Sequence, residues 1–307
     1  MAGLDEARAF YEEYGRPMLH GRFADYEGRI AVGLVGRGSE CFGFDDELSR
    51  DHDYETGFCM WLEDEDDLAV GVALARAYRE LPRRKSAQSS ALGEEHLGVR
   101  RTGFFYRRYT GSPGAPESWR QWMYLPAHAL AEATNGEVWR DDLGHFSAVR
   151  EQLLHGMPED VRKKKLAARA VEMAQAGQYN YSRCLGHGEE GAAMLAAAEF
   201  VRAACGMIYL LNRRHMPYYK WMLRGMDALP ELGGLKPALE FLLTGENDAA
   251  GRQTKAGVIE DICASVIREL RRQELSRSGS DYLEGHAFAI MDTIQNPEIR
   301  ALHVMEG

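Results

Sequence analysis

Strand-forming patterns are confined to the first 145 residues of this 307-residue chain, and that asymmetry limits its fold more than any other feature. Three short runs are apolar and rich in β-branched or aromatic residues: RIAVGLV (29–35), YETGFCMWL (54–62) and HLGVRRTGFFY (96–106). EVWRDD (137–142) adds a short edge strand. Helices are predicted around them. GLDEARAFYEEY (3–14) spaces its apolar residues at helical intervals, and EDEDDLAVGVALARAYREL (63–81) opens with acids where the helix dipole favours them. A helix over 119–134 should kink at Pro126 and stop at Asn135-Gly136.

Beyond residue 145 the periodicity is helical, over 146–155, 158–176, 189–213, 217–229, 236–243, 254–275 and 281–294. The expected fold is therefore α+β. Residues 1–145 should form a mixed sheet with flanking helices, and residues 146–307 a helical bundle. The run Arg162-Lys163-Lys164-Lys165 reads as a solvated helix face.

Charge and cysteine usage narrow the function classes. A formal charge of -10 opposes broad binding to a phosphate backbone, so nucleic acid is not the expected partner. The cysteines, Cys41, Cys59, Cys184, Cys205 and Cys263, lie far apart with no C-x-x-C, as expected of reduced core thiols. No apolar run is expected to approach a bilayer-spanning length and no basic-apolar leader opens the chain, so the expectation is a cytoplasmic protein without a membrane partner.

The chemistry concentrates in GLVGRGSECFGFDDELSRDHD (33–53). A dinucleotide-binding G-x-G-x-x-G fails because position 41 is cysteine, and no Gly-Lys-Ser/Thr is present for a Walker loop. Instead a strand ends in Gly38-Ser39, where backbone amides can approach an anion closely. After a gap of eleven residues, Asp51 and Asp53 open the next predicted strand. Side chains at i and i+2 of a strand share a face, so the two carboxylates converge. Converging carboxylates beside a phosphate-accommodating turn suit Mg²⁺ with a nucleoside triphosphate, since that ion takes a few protein oxygens together with phosphate oxygens.

This Gly-Ser…Asp-x-Asp arrangement resembles the signature of the polymerase-β-like nucleotidyltransferase superfamily. The helical second half is similar in layout to the kanamycin nucleotidyltransferases. Together with GQYNYSRC (177–184) and LNRRHMPYYKW (211–221), the motif resembles a bacterial family of unknown function assigned to that superfamily. The resemblance implies a metal-dependent transfer of a nucleoside monophosphate to a hydroxyl, with pyrophosphate released. Asp51 and Asp53 would hold Mg²⁺ or Mn²⁺, and Gly38 and Ser39 would hold the triphosphate. The acceptor expected is a small molecule. A nucleotide-binding pseudoenzyme, or a toxin-like member acting on tRNA or protein, stays open as an alternative.

Two further assignments have competing readings. Lys220 stands in the first turns of a predicted helix, where the dipole disfavours a cation, so it and Arg213 are candidates for the triphosphate. Tyr179 or Tyr218 would then line the base or acceptor pocket, the alternative being that the aromatics are bundle core and the cations solvated. For a third carboxylate to act as base, Glu95 and Asp141 are the candidates, and either can equally be a surface acid.

Overall fold

The computed structural model describes residues 3–46, 56–82 and 97–307. The chain is α+β, with a four-stranded mixed sheet followed by a largely helical region. It divides into two compact units: the described residues of Met1–Glu117 with Ala129–Gly156, and Ser118–His128 with Met157–Gly307.

The sheet of the first unit has the order β3-β2-β1-β4, with β1 at Ala31–Leu34, β2 at Cys59–Leu62, β3 at Gly98–Arg101 and β4 at Glu137–Arg140. The two central strands, AVGL and CMWL, are buried throughout, as continuous apolar runs should be. The edge strands carry the charges, Arg100 and Arg101 on β3, Glu137 and Arg140 on β4. β1 runs antiparallel to both neighbours, whereas β2 and β3 are parallel and therefore need the helical crossover that spans Asp64–Arg79.

Side-chain alternation divides the core between the two faces of the sheet. Val32, Met60 and Leu62 join Phe10, Tyr11, Leu19, Phe58, Leu74 and Tyr78 on one face. Trp61, between Met60 and Leu62, points the other way and stacks on Phe146 at 3.9 Å, with Phe105 edge-on at 5.6 Å. Trp61→Ala should therefore cost about 3–5 kcal/mol in urea unfolding. Trp61→Phe should cost under about 2 kcal/mol, because it keeps a stacking ring. It also removes an indole N–H that is buried without a partner among the described residues.

One strand is shorter than its sequence pattern. The run 96–106 reads as a strand throughout, yet β3 ends at Arg101 and a helix occupies Thr102–Thr110. Phe105, Tyr106 and Tyr109 are the reason. At helical spacing they bury together on one side, and Tyr106 Oη donates to the Phe146 carbonyl at 2.7 Å. Aromatic residues serve either structure, and here tertiary packing chose the helix.

In the second unit the helix Glu159–Met173 packs against Glu190–Leu211, Leu283–Met291, Trp119–Tyr124 and Pro297–Arg300. Its basic run is not a solvated face. Lys164 is fully buried and Arg162 is 4% exposed. These cations donate to backbone carbonyls far along the chain, near the ends of other helices and in the C-terminal segment. Arg162 donates to Leu210 O at 3.2 Å, Lys163 to Thr293 O at 3.2 Å and Lys165 to Met123 O at 2.6 Å. Lys164 donates to Val304 O at 3.1 Å and also to Glu306 O. Burial pushes the Lys164 and Lys165 ammoniums down to about 8.

Helix Glu190–Leu211 corrects a second expectation. It is long and apolar enough to cross a membrane by length and composition, although Glu199 and Arg202 interrupt the run. Its apolar side chains, among them Phe200, Val201, Met207 and Ile208, are buried within the unit. None of the five cysteines is in a disulfide, and four of them are buried.

Candidate functional site

β1 leaves the sheet into a turn that only glycine can make. Gly36 and Gly38 have φ of +126° and +122°, a region closed to ordinary L-residues. At Gly38 a Cβ would lie 2.3 Å from the Glu40 carboxylate. Ser39 then opens a short 3₁₀ turn, Glu40–Phe42, and its carbonyl accepts from Phe42 N at 3.1 Å and Phe44 N at 2.8 Å. Among the described residues the Ser39 hydroxyl makes no hydrogen bond.

The turn is held from β4's side by a residue that the sequence marks only as a helix stop. Asn135 accepts from Gly36 N at 2.8 Å and donates to Gly36 O at 2.7 Å. A side-chain amide is the one small group that can satisfy an N–H and a C=O of the same residue at once. Arg150 holds the segment in turn, donating to the carbonyls of Thr134 at 2.8 Å and of Asn135 and Gly136 at 3.3 Å. Asn135→Ala should cost about 2–3 kcal/mol in urea unfolding. It should also speed hydrogen exchange at the Gly36 amide.

Strand direction gathers the chemistry at one edge of the sheet. Because β1 and β2 are antiparallel with Gly33 opposite Cys59, the end of β1 lies beside the start of β2. The parallel pairing of Cys59 with Gly98 brings the start of β3 to the same edge. Gly38 and Ser39 sit there, on the connection from β1 to β2 whose sequence also carries Asp51 and Asp53. Both aspartates, and Glu95, lie outside the described residues. A small cavity at this edge, lined by Leu34, Glu40, Thr56, Gly57 and Leu97, has about 10 Å³ of free space, room for one water.

Another carboxylate on this connection escaped the sequence reading. Asp45 Oδ2 accepts from the Gly3 amide at 2.8 Å, while among the described residues Asp45 Oδ1 is buried without a hydrogen-bond partner. An unsatisfied carboxylate oxygen is a costly thing to bury. Asp141 is more fully engaged. Its Oδ1 accepts from Gly144 N at 3.1 Å and its Oδ2 from Ser147 N at 2.7 Å, so it caps the helix His145–His155.

Arg213 and Lys220 belong to the second unit. Arg213 has a positive φ of 53° and pairs with Glu159 at 2.9 Å. Although burial pushes Glu159 the other way, Arg162 and Arg213 together hold its carboxyl below the usual carboxylate range. Lys220 is exposed on the four-residue helix Tyr219–Met222, its ammonium 4.7 Å from the Trp221 ring centroid. Tyr218 and Tyr219 are exposed beside it, their rings 4.4 Å apart, with His128 edge-on to Tyr218 at 5.8 Å. Tyr179 is 48% exposed under the Arg183 guanidinium at 5.4 Å, whereas Tyr181 is fully buried.

Comparison with known proteins adds limited detail. A family model described as a domain of unknown function, DUF4037, matches residues 122–222, about a third of the chain. The chain is also similar to a nucleotidyltransferase-like protein from Exiguobacterium sibiricum 255-15, known as a crystal structure. Sequence identity is 12% and the TM-score 0.35, over 94% of this chain and 89% of that one. No curated protein matches the chain.

Proposed function

We propose that the chain is a metal-dependent nucleotidyltransferase that moves a nucleoside monophosphate from a nucleoside triphosphate to a hydroxyl group, releasing pyrophosphate. The observation that carries this reading is the Gly36–Ser39 turn. Two glycines at positive φ, the first of them clamped by Asn135, open the connection between adjacent antiparallel strands, and that same connection carries Asp51 and Asp53.

In this reading the acceptor hydroxyl oxygen attacks the α-phosphorus, the bond from that phosphorus to the β-phosphate oxygen breaks, pyrophosphate leaves with the electron pair, and the hydroxyl proton passes to solvent. The backbone amides of the turn and the Ser39 hydroxyl bind the triphosphate as donors. Asp51 and Asp53 are the residues that would hold Mg²⁺ or Mn²⁺. All-carboxylate donors suit a hard divalent cation, and Asp45 Oδ1 on the same connection, which has no partner among the described residues, fits a segment that meets positive charge. When bound, the metal supplies charge neutralisation for the leaving pyrophosphate. A net charge of -10 favours a small-molecule acceptor over a nucleic acid.

A second reading, a triphosphate-binding protein without transfer, is favoured by Asp141. Both of its carboxylate oxygens accept from helix-cap amides, which gives it a role in the fold in place of the free third carboxylate a base would be. Titration calorimetry with the four ribonucleoside triphosphates, in Mg²⁺ and then in EDTA, tests the site. Metal-dependent binding is expected, and its absence for all four would overturn both readings. Pyrophosphate release over a panel of hydroxylated acceptors then separates transferase from binder.

A further inference from the structure

The helical crossover from β2 to β3, spanning Asp64–Arg79, is apolar on two faces. A surface helix ordinarily buries one face and turns polar residues outward. Here Leu74, Ala77 and Tyr78 supply the buried face and join the core on one side of the sheet. The outward face carries Leu68, Ala69, Val72 and Ala73 at its centre. Leu68 is 88% exposed and Val72 77%, more than any other large apolar side chain among the described residues. They stand four residues apart across the wide turn Asp67–Gly71, hence on the same face. A single exposed leucine is ordinary. Two apolar side chains in line, set among alanines too short to cover them, make a contiguous patch.

The charges around this patch are sorted by sign. Asp64 and Glu65 stand exposed at the head of the helix, where Arg101 reaches Asp64 at 3.5 Å and Arg29 pairs with Glu65. Arg76 and Arg79 stand exposed at its tail, and among the described residues neither makes a hydrogen bond or an ion pair. The helix dipole favours these signs at these ends, but it does not account for the apolar stretch between them. Along the face the order is acidic, apolar, basic. Such a face is its own complement when a copy is turned end for end. With Leu68 of one copy against Val72 of the other, Arg76 falls opposite Asp64 and Glu65, and a two-fold axis repeats the contact. A partner of uniform charge would match one end and repel the other.

We propose that this face joins two copies of the chain as an antiparallel helix pair. Leu68 and Val72 pack at its centre, and Arg76 of each copy pairs with Asp64 and Glu65 of the other. Ala69 and Ala73 let the helix axes approach to about 8 Å. The residues all belong to the first unit, and the contact does not depend on the nucleotidyltransferase reading. One helix face is small beside the roughly 800 Å² per partner of a stable interface. The dimer is therefore a weak one, with Kd on the order of 10–100 μM.

The test is sedimentation velocity of the full chain over a concentration series from about 1 to about 500 μM. A shift from monomer to dimer, and no further, is expected. Leu68→Glu/Val72→Glu should raise Kd at least about 30-fold. Because both side chains are exposed, its melting temperature should stay within about 2 °C of wild type at a concentration where both are monomers. Arg76→Glu and Glu65→Arg should each weaken the dimer about tenfold, since the two-fold axis makes every reversed charge count twice. Glu65→Arg/Arg76→Glu should recover most of that loss. The two positions are three turns apart, too far to pair within one chain, so the recovery reports a contact between antiparallel copies. Four outcomes would overturn the proposal: a monomer at every concentration, assembly that continues past the dimer, a dimer that survives Leu68→Glu/Val72→Glu, or a double reversal no tighter than the single ones.

Discussion

Asp51→Ala/Asp53→Ala should weaken Mg²⁺-dependent triphosphate binding by at least about 100-fold, roughly 2.7 kcal/mol, and abolish any pyrophosphate release. The physical basis is that two carboxylates one residue apart repel each other unless a cation lies between them. Their removal should accordingly leave the melting temperature of the nucleotide-free protein within about 2 °C of wild type. The pairing of outcomes is what makes the experiment informative. Binding lost with stability retained supports a metal site. Binding untouched by the double substitution would remove the basis of the proposed function, and a collapse of stability would mean that the aspartates serve the fold. Calorimetry in Mg²⁺ and in EDTA, beside thermal unfolding of both proteins, distinguishes the three.

Gly136→Ala should be the most damaging of the single methyl additions considered, at more than about 3 kcal/mol in urea unfolding. Gly136 has φ of +60°, and a Cβ there would stand 1.9 Å from the Leu34 carbonyl oxygen and 3.0 Å from its carbon. Neither atom can move aside, because Leu34 is the last residue of β1 and pairs with Glu137 at the start of β4. Gly144→Ala is the control. Its φ is +73°, but nothing lies within 4 Å of the added carbon, so only backbone strain of about 1 kcal/mol is expected. Equal losses at the two positions would show that β1 and β4 do not approach so closely. Since Asn135 and Gly136 together support the Gly36 turn, Gly136→Ala should also weaken triphosphate binding in whatever fraction stays folded.

Much of the fold is legible in short patterns. The apolar runs of β1 and β2 sit within predicted strands, EVWRDD contains the edge strand β4, and the helix expected over 119–134 breaks at Pro126 into Trp119–Tyr124 and Ala127–Thr134. The misreadings are those in which one residue type serves two structures. GFFY after β3 suits a strand or a helix, and packing against Trp61 and Phe146 decided for the helix. Arg162 and Lys164 look solvated because long cationic side chains usually are. Here the helix that carries them is packed against other segments, whose backbone carbonyls accept from both cations.

The candidate site divides along the same line. Gly36, Gly38 and Ser39 can be found from the sequence, because glycine spacing after a strand reports a backbone requirement that is local. The roles of Asn135 and Asp45 cannot, because each depends on a partner distant in the chain, Gly36 for one and Gly3 for the other. Asp141 shows the converse. A lone acid after a strand is chemically ambiguous until the amides of Gly144 and Ser147 are seen to occupy it.

By itself, then, the sequence determined the α+β division, the two central strands and the Gly-Ser turn, since periodicity and glycine placement act over a few residues. Only the tertiary structure decided that the ends of β1 and the starts of β2 and β3 share one edge. It alone turned the basic run into a set of donors for carbonyls distant in the chain. Those outcomes depend on which distant groups burial brings together, and burial is a property of the packed chain.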